Sequence, residues 1–137
     1  MNSSVVFTDG PIEVPAMQVH SREAGAVAEF HGIVREKEGA SAISALRYEA
    51  YETMARREFD RIFVELSARH PVQDVIVIHR VNRVPVGEAS LYVRVIAKHR
   101  GQALSFCGEL IDRMKKDVPI WKTALPDATS PAGHVAK

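Results

Sequence analysis

A chain of 137 residues with 46% hydrophobic and 26% charged residues has the size and make-up of one globular domain, outside the low-hydrophobicity, high-charge regime of disorder. Eighteen Lys and Arg against 17 Asp and Glu leave a formal net charge of +1, without the basic character of a general nucleic-acid binder. One cysteine excludes an intramolecular disulfide, no apolar run approaches the roughly 20 residues that span a bilayer, and Met1-Asn2-Ser3-Ser4 lacks the opening of a secretory signal; a soluble cytoplasmic protein is expected.

Residues 4–8 read as a short strand stopped by Asp9-Gly10-Pro11, and Val14 to His20 as a brief helical turn. Gly25 to Arg35 forms a mixed strand whose internal Gly32 marks a bulge or a close approach to the backbone. The polar stretch 36–41 is expected to be a mobile loop, with Ile43 to Tyr48 as the antiparallel return strand. From Thr53 to His70, Ala55, Phe59, Ile62, Phe63 and Leu66 recur at helical spacing, and Pro71 ends the pattern. Val75 to Ile78 is a β-branched run suited to a buried strand, and residues 83–88, with Pro85 and Gly87, suggest a turn. Alternation over Ser90 to Ala97 predicts another strand. Ala103, Cys107, Leu110, Ile111 and Met114 then mark a second helix, ending near Asp117 because Pro119 lacks an N–H and pushes Val118 out of the α region. Extended chain resumes at Ile120-Trp121-Lys122.

Strand groups separated by single helices point to an α+β fold, with two main helices packed on a largely antiparallel sheet. The whole chain, 1–137, reads as one domain with a flexible tail over 126–137.

The helix-to-strand reversal carries two amines, Lys115 and Lys122, able to face one pocket. A lysine amine acts as acid, base or nucleophile once neighbouring cations lower its pKa, and Trp121 suggests a recess. The alternative is lysines that favour a helix C-terminus and sit in water. Lys98-His99-Arg100-Gly101 ends a strand where a helix starts, combining a fixed cation, an imidazole and free backbone N–H groups suited to a phosphate. His79-Arg80 repeats the dipeptide without a helix start and reads as structural. Cys107, on an apolar stripe, reads as a thiol that packs. Arg35, at a strand end, can reach a ligand or a neighbouring subunit. The six histidines and the cysteine lack zinc-ligand spacing, so neither metal nor resident cofactor is expected.

Over residues 25 to 123 the chain resembles the large, catalytic subunit of molybdopterin synthase. The resemblance rests on an ordered set: Gly25-Ala26, Phe30-x-Gly32-x-Val34-Arg35, Leu46-x-Tyr48-Glu49-x-Tyr51 with Met54-Ala55, His79-Arg80, Gly87-Glu88, His99-Arg100, and Ile111-Asp112-x-Met114-Lys115 leading into Pro119-Ile120-Trp121-Lys122. It implies an α/β hammerhead-type fold and a homodimer within a heterotetramer. The implied partner is a small ubiquitin-like sulfur carrier whose C-terminal Gly-Gly is thiocarboxylated. The implied substrate is cyclic pyranopterin monophosphate, which receives two sulfur atoms and becomes the dithiolene of molybdopterin in molybdenum cofactor biosynthesis. By motif, Lys115 and Lys122 correspond to the essential pocket lysines; Arg35, His99 and Arg100 to contacts for the substrate anion; and Ile33, Val34, Thr123 and Ala124, with Phe30, to stretches lining the pterin site.

The resemblance implies proton transfer or transient covalent handling by Lys115, and stabilisation of developing negative charge by Lys122. Two departures stand out. Ala124 occupies a position where relatives carry Glu, and Ser130 to Val135 lacks the tryptophan of their C-terminal segment. The first motivates an alternative, a non-catalytic paralogue that keeps dimer and partner binding. A second alternative is an anion- or nucleotide-binding regulatory domain built on His99-Arg100.

Overall fold

A computed structural model describes residues 1–19 and 21–127; the end of the 14–20 turn and nearly all of the expected 126–137 tail, including Ser130 to Val135, lie outside the described residues. The elements are β1 (Asn2–Thr8), β2 (Ala26–Ile33), β3 (Lys37–Glu38), β4 (Ser41–Ala50), α1 (Glu52–Arg69), β5 (Asp74–Arg80), β6 (Asn82–Pro85), β7 (Ala89–Ala97), α2 (Arg100–Asp117) and β8 (Ile120–Pro126). The fold is α+β, as the sequence predicts, but the strands divide between two sheets. One has the order β1-β5-β7-β2; in the other β4 is central, pairing with β3, β6 and β8. Every pairing is antiparallel except that of β1 with β5.

Both helices lay their apolar stripes on the first sheet. Phe59, Ile62, Phe63 and Leu66 of α1 and Phe106, Leu110 and Met114 of α2 join Val75, Val77, Val93 and Val95 in one core. Phe63 sits between Phe59 and Phe106, its ring centroid 5.9 and 6.4 Å from theirs. Each such side chain contributes about 1.5–3 kcal/mol when fully buried, so the two stripes and the sheet face they cover hold the layers together. Cys107 packs there, and burial pushes its thiol pKa up, consistent with an inert role. No described helix is long and apolar enough to cross a membrane.

Three local expectations are corrected. Residues 14–19 form no helical turn, because Pro15 lacks a donor and restrains Val14; the Pro15 carbonyl instead accepts a hydrogen bond from Arg94 Nη1 at 2.9 Å. Residues 36–41 are not simply a loop: Lys37 and Glu38 pair with Ala42 and Ser41 in a tight hairpin, with Gly39 supplying the left-handed conformation at φ 62°. The 83–88 turn narrows to 86–88, because residues 82–85 pair with β4.

The helix-to-strand reversal is as predicted. The Val118 N–H closes on the Met114 carbonyl at 3.1 Å, Pro119 follows, and β8 runs antiparallel to β4 with Lys122 opposite Tyr48. Gly32 also meets its expectation, since the β2–β7 register shifts between Gly32 and Ile33. A Cβ on Gly32 would stand 3.3 Å from the Phe30 ring and 3.4 Å from Leu91 Cβ.

Candidate active site

Where the C-terminal end of α2 meets both sheets, the layers part around a cavity of about 530 Å³. That volume lies within the roughly 300–1,000 Å³ of small-molecule sites. Its cationic wall brings together Lys115 from the last turn of α2, Lys122 from β8 and Arg35 from just beyond β2. All three side chains reach solvent. The apolar wall includes Phe30, Ile33, Val34, Leu46, Met114 and Ile120.

Each cation is held by backbone logic. The β-bulge after Gly32 redirects the strand, and Val34 is clamped to the 86–88 turn: its N–H donates to the Glu88 carbonyl at 3.0 Å, and its carbonyl accepts from the Gly87 N–H at 2.8 Å. Gly87, at φ 89°, provides a conformation that residues with a Cβ rarely adopt. Arg35 is thereby aimed from a rigid stem. Strand alternation turns Ile120 and Lys122 toward the cavity and Trp121 away. Trp121 is exposed and meets Tyr51 edge-on at 4.9 Å, so it does not build the recess expected beside Lys122.

Of the other predicted positions, Thr123 and Ala124 continue along β8, exposed and beyond the cavity lining, opposite Arg47 and Leu46. His99 and Arg100 do occupy a helix start, His99 being the N-cap of α2. They are not gathered with Lys115, which lies fifteen residues along the same helix, about 22 Å at 1.5 Å per residue.

The site also contains groups to which the sequence assigned no site role. Glu38, on the short β3, reaches Lys122 with its carboxylate 3.1 Å from Nζ. Both side chains are substantially exposed, so the pair adds little stability, roughly 0–1 kcal/mol. It does put a negative group on the cation wall. Tyr48, Ser90 and His79 form an uncharged floor. Tyr48 Oη donates to Ser90 Oγ at 3.3 Å, and Ser90 Oγ donates to the Gly32 carbonyl at 3.5 Å. His79 is buried, with Nδ1 2.8 Å from the Arg80 carbonyl oxygen, and burial pushes its pKa below the ordinary histidine value. The sequence signals were the His79-Arg80 dipeptide, read as structural, and Tyr48 within the ordered motif set; the hairpin and the β4–β7 proximity are long-range pairings.

Among the described residues no group of three or more His, Cys, Asp or Glu side chains could hold a metal ion. The arrangement suits an organic anion: three cations on one side, apolar contact on the other, and neutral polar groups beneath.

The fold and cavity thus define a small α+β protein with a lysine-bearing, anion-compatible site. The MoaE protein family matches residues 7–117. The molybdopterin synthase catalytic subunit of Oryza sativa subsp. indica is 40% identical over 120 residues, covering 86% of this chain and 62% of the rice protein. That of Pyrococcus abyssi is 38% identical over 119 residues, covering 87% and 80%. A crystal structure of molybdopterin synthase from Staphylococcus aureus superposes with a TM-score of 0.78 at 27% identity, over 90% of this chain and 91% of that one. The chain belongs to the MoaE family. It spans about three-fifths of the length of the rice relative.

Proposed function

We propose that this chain is the catalytic subunit of a molybdopterin synthase, transferring sulfur from the thiocarboxylated C-terminus of a small ubiquitin-like subunit to cyclic pyranopterin monophosphate. The observation that carries the reading is the convergence of Lys115, Lys122 and Arg35 on one cavity of ligand size, in a chain whose relatives bear that name. Lys115 serves in proton transfer or transient covalent handling at the carbon that receives sulfur, and Lys122 stabilises negative charge as it develops there. Arg35 offers a planar, permanently charged fork for an anionic oxygen. Ile33, Val34 and Phe30 supply the apolar wall against which a flat ring packs. Thr123 and Ala124 border the approach along β8.

His99 and Arg100 stand about 22 Å from Lys115 along α2, at the far end of the helix from the cavity. Neither His99 nor Arg100 lines the cavity that Lys115 enters, so the phosphate contact is assigned to the same pair from a second copy, and a homodimer, flanked by small subunits, is part of the proposal. The reaction is placed in the cytoplasm.

The test is reconstitution. Purified chain, cyclic pyranopterin monophosphate and thiocarboxylated small subunit should yield the dithiolene-bearing pterin, and Lys115→Ala should abolish it while leaving the thermal melt unchanged. No product with a cognate, thiocarboxylated partner overturns the reading in favour of a non-catalytic paralogue. Saturable nucleotide binding at His99-Arg100 without any affinity for such a partner favours a regulatory domain.

A further inference from the structure

The neutral floor of the cavity has no role in the charge chemistry above, and its hydrogen bonds point one way. A carbonyl oxygen only accepts, so the 2.8 Å contact between His79 Nδ1 and the Arg80 carbonyl places the hydrogen on Nδ1. Burial favours the neutral ring, in which Nε2 carries a lone pair. Tyr48 packs edge-on against this ring at 4.9 Å, and its hydroxyl hydrogen is directed to Ser90 Oγ. The Ser90 hydrogen is in turn directed to the Gly32 carbonyl. The donors of the floor are therefore already engaged inside the protein. His79 and Tyr48 line the cavity opposite its cationic donors, and the hydrogen-bonding capacity left to them, on His79 Nε2 and Tyr48 Oη, is acceptor capacity.

We propose that this floor is an acceptor surface that selects the N–H and amino edge of a 2-amino-4-oxopteridine, with His79 Nε2 as the specificity-determining atom. A ligand presenting a carbonyl there would set oxygen lone pairs against nitrogen lone pairs and leave a buried acceptor unpaired. The choice of a pteridine among donor-bearing heterocycles rests on the sulfur-transfer reading; the acceptor character of the floor does not.

The test uses the full chain, without partner or sulfur source, titrated calorimetrically with pterin and with lumazine, in which a carbonyl replaces the 2-amino group and N1 gains a hydrogen, so that the exocyclic donor alone is lost at position 2. Pterin should bind about tenfold more tightly, the scale of one mispaired buried hydrogen bond. His79→Gln, whose amide oxygen can occupy the Nε2 position, should keep that preference within roughly threefold. His79→Asn, which can still donate toward the Arg80 carbonyl but offers nothing at Nε2, should lose it. Should the Asn variant not fold, Tyr48→Phe, which removes one hydroxyl, should still weaken pterin binding severalfold.

Equal binding of pterin and lumazine by the unaltered chain overturns the proposal, as does an unchanged preference in folded His79→Asn. Such a result alongside intact sulfur transfer sinks this inference alone. Retained pterin preference in a chain that transfers no sulfur sinks only the reading of function.

Discussion

If the proposed reaction needs both groups, Lys115→Ala protein and Arg100→Ala protein should each be inactive alone and should regain activity when unfolded together and refolded as a mixture. The two positions lie on one uninterrupted helix, α2, about 22 Å apart, more than two extended side chains can bridge. Arg100 does not line the cavity that Lys115 enters, so under the proposal it serves the site of a second copy. Random pairing makes half of the dimers mixed, and each mixed dimer holds one site with Lys115 and the neighbour's Arg100 both intact and one site with neither. The mixture should therefore reach about a quarter of the activity of the unaltered protein at equal concentration, the statistical value for a symmetric pair. Dithiolene formation with the thiocarboxylated partner is the readout, and native mass spectrometry of differently tagged chains checks that mixed dimers formed. Activity no greater than the sum of the two parents, with mixed dimers present, would refute the shared site. So would full activity in Arg100→Ala alone.

Glu38→Gln removes the carboxylate that competes for Lys122, so KM for the anionic substrate should fall about two- to fivefold, the scale of an exposed ion pair, with kcat within twofold; a collapse of kcat would instead place Glu38 in the chemistry. Phe106→Ala empties the centre of the helix–sheet core and should cost about 3–5 kcal/mol in denaturant unfolding, with little change in m. Gly25→Ala puts a Cβ 2.4 Å from the Lys98 backbone carbonyl at the start of the β2–β7 pairing and should destabilise by about 1–3 kcal/mol; an unchanged melting temperature would contradict that contact. His79 sets an acid-side pH dependence: its folded pKa lies below the ordinary 6.5, so its neutral form matches both states above that value. As pH falls below 6.5 the unfolded chain takes the proton first, and stability declines until pH passes the folded pKa. His79→Gln should flatten that part of a stability–pH curve, and an identical slope in both proteins would disprove the assignment.

Local rules were enough for much of this molecule. The stripe from Ala55 to Leu66 and that from Ala103 to Met114 each needed only their own period to declare a helix and its buried face. Pro119 set the reversal that separates Lys115 from Lys122 into two elements, and Gly32 marked the bulge. Ordered motif resemblance supplied the family that the 7–117 match shows.

Pairing between distant segments was not legible. Nothing in Glu36 to Ser41 says that a two-residue strand will form there and turn Glu38 toward Lys122, because that ion pair exists only once β4 has paired with both β3 and β8. Trp121 looked like pocket furniture beside Lys122, yet adjacent strand residues face opposite ways, and which way was decided by the packing of β8. His99-Arg100 and Lys115 shared a chemical theme in the sequence but are held apart by the rigid length of α2. By itself, then, the sequence determined the helices, the reversal and the family, since these follow from spacing within short windows. Only the tertiary structure decided which cations share a cavity and which polar groups floor it, because those groups come from segments tens of residues apart, brought together by sheet pairing and helix packing.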